Sequence, residues 1–188
     1  MNKQSFSSWY EKSRKQLFEC SMFTVFEAER YTKQDDISTF YLIDAPDWAG
    51  VIPVVNTSEG RKFVMIQQYR HGTGRRSVEF PGGIIDPGED PVLAISRELL
   101  EETGYAAEMI IPLGSLSPNP AIMTNRFHAF VAEDCQLVRE PQLDEHEDIQ
   151  VLLIPEDEAI NLVGGEEMGH ALMIAALFLY SRYLGRCL

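Results

Sequence analysis

The stretch from Gly83 to Tyr105, GIIDPGEDPVLAISRELLEETGY, constrains this chain more than any other part of its sequence. Asp90 suits a helix N-cap, Pro91 the first helical position and Gly104 the position just past the end, so the spacing predicts a helix between Asp90 and Gly104. At about 100° per residue, Val92, Leu93, Ile95, Leu99 and Leu100 share one broad arc that can face a core. Glu98, Glu101 and Glu102 gather on the other side. Glu98 and Glu102 are one turn apart, which brings two like charges onto one patch of surface.

The flanking segments predict a layered α/β or α+β domain. Phe18 to Tyr31 and Ser38 to Ile43 are rich in β-branched and aromatic residues and read as two strands joined through KQDD. Ala45-Pro46-Asp47 reads as a linker into the main body. Val51 to Val55 and Phe63 to Gln68, separated by NTSEGR, form a hairpin pattern. Ser77 to Phe80 is a short strand ended by Pro81-Gly82-Gly83. Beyond the helix, strands are expected near Met109 to Leu116, Phe127 to Ala132 and Ile149 to Ile154, and helices over Glu156 to Leu162 and Met168 to Leu184. Two domains result: residues 1–47 as a small N-terminal β subdomain and 48–188 as the main body.

Composition narrows the function. A formal net charge of −13 argues against a nucleic-acid footprint, which needs clustered Lys and Arg. The N-terminal MNKQSFSSWYEKSRKQ lacks the apolar core of a signal peptide, and the apolar C-terminal run is short for a span and holds His170 and Arg182. Cys20, Cys135 and Cys187 show no CxxC or zinc-finger spacing and read as reduced thiols of a cytoplasmic protein. His71, His128, His146 and His170 show no ligand spacing and read as structural or solvent-exposed.

The clustered glutamates gain a purpose if they hold a hard divalent cation, since Mg²⁺ takes carboxylate and water oxygens and bridges to phosphates. Bound cations also let an acidic protein receive an anionic substrate. Glu89 could add a carboxylate, the Gly82-Gly83 backbone can turn sharply enough to offer a carbonyl, and Arg97 could hold Glu101 in place. An acidic helical face is more often merely solvated, so this local pattern alone does not establish a metal site.

The full spacing does more. Gly83, Glu89, Arg97, Glu98, Leu99, Glu101, Glu102, Gly104 and Tyr105 fill every fixed place of a pattern that resembles the Nudix box, and a match this long carries little of the false-positive risk of short motifs. QQYR at Gln67 to Arg70 and VEFPGG at Val78 to Gly83 are similar to the ADP-ribose and nucleotide-sugar pyrophosphatase branch of that family. The resemblance implies an α/β/α sandwich with a mixed sheet, an N-terminal β subdomain that builds a homodimer, and hydrolysis of nucleoside diphosphates joined to a second group. It implies Gly82, Glu98, Glu101 and Glu102 as ligands of Mg²⁺, for which Mn²⁺ could substitute, with Glu101 also a catalytic candidate that shares a metal or the water. It places a general base in a late acidic loop, where Glu145 and Glu147 are the candidates and the sequence does not choose between them. Arg70, at the end of a strand just before the site, could contact the pyrophosphate through its guanidinium or serve in a structural ion pair, and Glu79, Pro120 and Arg126 are the further substrate-binding candidates. Many members of that branch carry Ser-Pro-Gly where this chain has Asn119 after Pro118, which leaves nucleotide sugars open beside ADP-ribose. The partners implied are a small nucleotide and a second copy of the chain, with neither nucleic acid nor membrane. The alternatives are nucleoside triphosphates, dinucleoside polyphosphates, NADH or coenzyme A as substrate, or a domain that only senses a ligand. Sensing domains tend to lose box glutamates or carry a DNA-binding domain, whereas this chain keeps the glutamates and has four residues after Leu184.

Overall fold

The computed structural model describes residues 8–143 and 148–186. Its contacts divide the chain into two compact units, one of Met1–Pro46 with Ser117–Asn125, the other of Asp47–Leu116 with Arg126–Leu188. The first unit is a three-stranded antiparallel sheet, β1 (Tyr10–Glu19), β2 (Thr24–Tyr31) and β3 (Ile37–Asp44), in that order. Ser117–Asn125 follows β3, with Ile43 N–H donating to the Ile122 carbonyl at 2.7 Å and Thr124 N–H to the Ile43 carbonyl at 3.1 Å. The run expected from Phe18 to Tyr31 is therefore broken by a turn, closed by Cys20 N–H on the Phe23 carbonyl at 3.1 Å, and a further strand precedes it. Every residue of β1 is exposed. A strand without a buried face shows no alternation of apolar and polar residues, so the usual sequence signal is missing.

The second unit is built on a seven-stranded mixed sheet. Its strands are β4 (Trp48–Thr57), β5 (Gly60–Arg70), β6 (Arg75–Glu79), β7 (Gly82–Ile84), β9 (Ile110–Leu116), β10 (Phe127–Ala132) and β12 (Ile149–Pro155). The main path runs β12-β5-β4-β10-β9, while β6 pairs with β5 and β7 with β4. Among the described strands of this sheet β4 and β10 run parallel, and the other pairs are antiparallel. The expected hairpin is β4 and β5, whose register closes on Thr57 and Gly60. A separate two-stranded ribbon joins β8 (Tyr105–Ala106) to β11 (Gln136–Leu137). Neither strand was anticipated, because two residues carry no periodicity.

Alternation along the central strands sends side chains to two cores. On one face Ala49, Val51 and Val64 pack with Ala94, Ile95 and Leu99 of α1 (Pro91–Thr103). On the other, Ile52, Phe63 and Met65 pack with Met173, Ala176, Leu177 and Tyr180 of α3 (Ala171–Tyr183), near Ala159 of α2 (Glu156–Leu162). The result is the expected α/β/α sandwich. Ile95 and Leu99 are fully buried, each contributing about 1.5–3 kcal/mol of hydrophobic stabilisation.

Two expectations about α1 need correction. Leu93, assigned to the core arc, is 65% exposed. Glu102, assigned to the open acidic side, is only 4% exposed. The core-facing stripe is centred on Ala94, Ile95 and Leu99 and extends to Glu102 and Thr103, so it is rotated from the arc drawn through the largest side chains. Ala94 contributes little hydrophobicity to a sequence pattern but allows close contact with the sheet. At the C-terminus, α3 begins at Ala171 rather than Met168, because Met168 is buried in a bridge to Val163.

Candidate active site

Helix α1 starts and stops where its punctuation requires. The Asp90 carboxylate accepts from Val92 N–H at 2.8 Å, and Gly104, at φ 74°, ends the helix with its N–H on the Leu100 carbonyl. Between these ends the glutamates are held by two devices. The first is the glycine pair of β7. A Cβ on Gly83 would lie 2.5 Å from the Glu98 carboxyl carbon, so that carboxylate packs against backbone that only glycine leaves open. Gly82 N–H donates to Glu102 Oε2 at 2.9 Å, and a Cβ there would meet the Ala49 carbonyl oxygen at 2.3 Å.

The second device is Arg97. Its guanidinium donates to Glu98 Oε1 at 2.9 Å, Glu101 Oε2 at 3.1 Å and both oxygens of Glu89 at 3.2 and 3.3 Å. The expected hold of Arg97 on Glu101 is present, and it extends to two more carboxylates. The hydrogen bonds from Arg97 and from Asp86 N–H keep the Glu89 carboxyl below its usual range. Among the described residues no three His, Cys, Asp or Glu side chains are drawn into a ready metal cage. The donor set nevertheless fits a hard cation: carboxylate oxygens from one helix, lying against a glycine backbone too narrow for any side chain.

Beside this cluster stands a second, nearly buried carboxylate. Glu79, at the end of β6, is 1% exposed and receives Arg70 Nε at 3.0 Å on Oε1 and Arg70 NH2 at 2.7 Å on Oε2. His170 Nδ1 reaches the same Oε2 at 2.9 Å. Burial opposes the charge on Glu79, but the hydrogen bonds from His170 and Arg70 outweigh it and hold the carboxyl well below its ordinary value of 4.5. Arg70 stays strongly basic, chiefly through its hydrogen bonds to Glu79 and with a smaller contribution from Glu102. Its side chain remains 43% exposed, with Nε and one terminal nitrogen engaged by Glu79.

The remaining sequence candidates are distributed differently. Arg126 donates from Nε to Ser115 Oγ at 2.7 Å and from NH2 to the Ser115 carbonyl at 2.8 Å. Pro120 belongs to the first unit, in the segment beside β3. Glu145 and Glu147 lie outside the described residues, as does His146. Sequence reasoning passed over two polar pairs. Asp47 accepts from Arg126 N–H at 2.7 Å and pairs with His128 Nε2 at 3.0 Å. Burial works against the Asp47 charge, but these bonds keep its carboxyl below the usual value. The other pair is His170 with Glu79. No spacing connects residues 91 positions apart, so only the unusual residue type at the start of α3 could have drawn attention.

Sheet, flanking helices and a glutamate-lined helix against a glycine strand define the α/β/α class built around a Nudix box. The chain belongs to the NUDIX family, whose domain model, described as NUDIX domain, matches residues 46–177. It is 32% identical over 120 residues to an ADP-ribose pyrophosphatase of Bacillus subtilis (strain 168), covering 63% of this chain and 65% of that protein. It is 29% identical over 134 residues to the ADP compounds hydrolase NudE of Escherichia coli (strain K12), covering 71% and 69% of the two chains. The match to the Bacillus protein thus spans slightly less than two thirds of its length. A crystal structure of an ADP compounds hydrolase superposes with a TM-score of 0.83, covering 97% of both chains at 24% identity. That likeness establishes the fold.

Proposed function

We propose that this chain is a Mg²⁺-dependent pyrophosphohydrolase of nucleoside diphosphates joined to a second group, ADP-ribose or a nucleotide sugar. The observation that carries this reading is the convergence of Glu98, Glu101 and Glu102 on one helix with a glycine strand and the partly exposed side chain of Arg70. The names of the Bacillus subtilis and Escherichia coli relatives support the substrate class.

In this reading Glu98, Glu101, Glu102 and the Gly82 carbonyl would hold Mg²⁺, or Mn²⁺ in its place. When bound, the metal neutralises the pyrophosphate, polarises its P–O bonds and lowers the pKa of the attacking water. Arg70 binds a phosphate oxygen through the edge of its guanidinium that Glu79 leaves open. Glu145 or Glu147 accepts the proton of the attacking water. Water oxygen joins one phosphorus, the P–O–P link breaks, and a nucleoside monophosphate leaves with the phosphorylated second group. Arg126 is the further candidate for a substrate contact in this unit. We assign residues 1–47 to homodimer formation, which the exposed β1 strand supports, and the protein to the cytoplasm. No described helix is long and apolar enough to cross a membrane.

The test is release of nucleotide or phosphate from a panel: ADP-ribose, ADP-glucose, GDP-mannose, UDP-glucose, NADH, coenzyme A, diadenosine polyphosphates and the common triphosphates. Each is run with and without Mg²⁺ and in ¹⁸O-labelled water. The expected result is Mg²⁺-dependent turnover of a sugar diphosphate with label in a phosphate product. Turnover confined to triphosphates would overturn the substrate class. Silence across the panel would favour a ligand-sensing domain.

A further inference from the structure

We propose that His170 is a positioning residue for substrate phosphate. It fixes the Glu79 carboxylate and, through it, the orientation of the Arg70 guanidinium. The inference rests on the phosphate-binding reading of Arg70 given above.

The first observation is where His170 stands. It is the N-cap of α3, a position where Ser, Thr, Asp or Asn would bond a free helix N–H. The His170 side chain makes no cap hydrogen bond. Its Nδ1 instead lies 2.9 Å from Glu79 Oε2. A local gain in helix stability has been forgone for a contact across the fold.

The second observation is the bonding of Glu79. Its Oε2 is shared by Arg70 and His170, while Oε1 receives only Arg70 among the bonds the structure shows. Two donors from opposite elements leave the carboxylate little freedom to rotate. Arg70 uses Nε and one terminal nitrogen on Glu79, so the direction of its remaining N–H groups follows the plane of that carboxylate. With the carboxylate charged, the Nδ1 of His170 is the donor in this pair.

The third observation is that the segment carrying His170 is itself tied down. Val78 N–H donates to the Glu167 carbonyl at 2.7 Å, and Gly164 N–H to the Met168 carbonyl at 3.0 Å. The turn before α3 is therefore latched to β6 one residue before Glu79. Three residues beyond Glu79, Gly82 N–H meets Glu102 of the acidic helix. One short run of chain thus connects the His170 support, the Arg70 anchor and the glutamate cluster. The angle at which Arg70 faces a phosphate held by that cluster depends on all three.

The experiment compares wild type with His170→Ala, His170→Asn, His170→Asp and Arg70→Ala. It measures KM and kcat on the best sugar diphosphate and calorimetric binding of inorganic pyrophosphate with Mg²⁺. His170→Ala is expected to weaken pyrophosphate binding and raise KM about tenfold, with a much smaller change in kcat, as when one charge-assisted hydrogen bond is lost. Asn retains a donor near the Nδ1 position and should restore most of the affinity. Asp is a better N-cap than His, but its charge repels Glu79, so it should bind at least as poorly as Ala. In an Arg70→Ala background, His170→Ala should add little.

Equal recovery by Asn and Asp would show that His170 serves only the helix end and would overturn the proposal. So would an unchanged KM in His170→Ala, or additive losses in the double variant. Pyrophosphate binding reads Arg70 without turnover, so a wrong substrate class leaves this test intact. A wild type that binds pyrophosphate no better than Arg70→Ala would overturn the inference together with the role of Arg70.

Discussion

At the scale of single residues, Glu79 and Glu102 are buried acids, and each is held by specific donors. For Glu79 the depressed pKa has a thermodynamic consequence. Below its unfolded value of 4.5 the unfolded chain takes up a proton that the folded chain resists, so folding loses stability as pH falls through that region. The contribution is complete above about pH 5.5 and declines progressively below it. Melting temperatures of wild type and Glu79→Gln should therefore differ most at neutral pH and converge towards acid; a gap that widened in acid would contradict the assignment. Glu102→Gln keeps an oxygen to accept Gly82 N–H but loses the charge. It should cost about 100-fold or more in turnover with little change in melting temperature, read by kinetics beside calorimetry. A collapse of folding would mark Glu102 as structural.

At the scale of elements, two glycines flank the same box and serve different ends. Gly104 sits at φ 74°, and a Cβ there would lie 2.0 Å from the Arg139 carbonyl oxygen. That neighbour is backbone and cannot swing away. Gly104→Ala should destabilise the fold by about 1–3 kcal/mol or more, measured by denaturant titration. Gly83→Ala meets the far end of a side chain, the Glu98 carboxylate at 2.5 Å, which can move. It should fold nearly as well as wild type yet lose most of its turnover, because the carboxylate is pushed from its seat. If both variants lost stability equally, the role given to Gly83 would fail.

At the scale of the whole molecule, the two hydrophobic clusters among the described residues draw only on the second unit. The first unit exposes Trp9, Tyr10, Leu17, Phe18 and Tyr41. Exposed apolar strands of this kind usually mark an interface. Removing residues 1–44 should yield a protein that sediments as a monomer or has weakened activity. A dimer with wild-type activity would count against the assignment of the N-terminal sheet to assembly.

Much of this protein was legible before its fold was known, where local chemistry carries the signal. The caps of α1, the span of β10 from Phe127 to Ala132 and the limits of α2 depend on neighbouring residues and their periodicity, and each stands where the sequence puts it. The box glutamates were legible for the same reason, since one helix carries them all. Features that join distant segments were not. Tyr10–Glu19 becomes a strand only because β2 pairs with it, and Glu102 is buried only because β7 folds against α1. His170 meets Glu79 only because the turn before α3 is latched to β6. The sequence by itself determined which helix bears the acidic residues and where that helix begins and ends, because those depend on bonds within a few residues. The tertiary structure alone decided which carboxylates are buried and which donor holds each one, because those depend on packing between segments that the sequence keeps far apart.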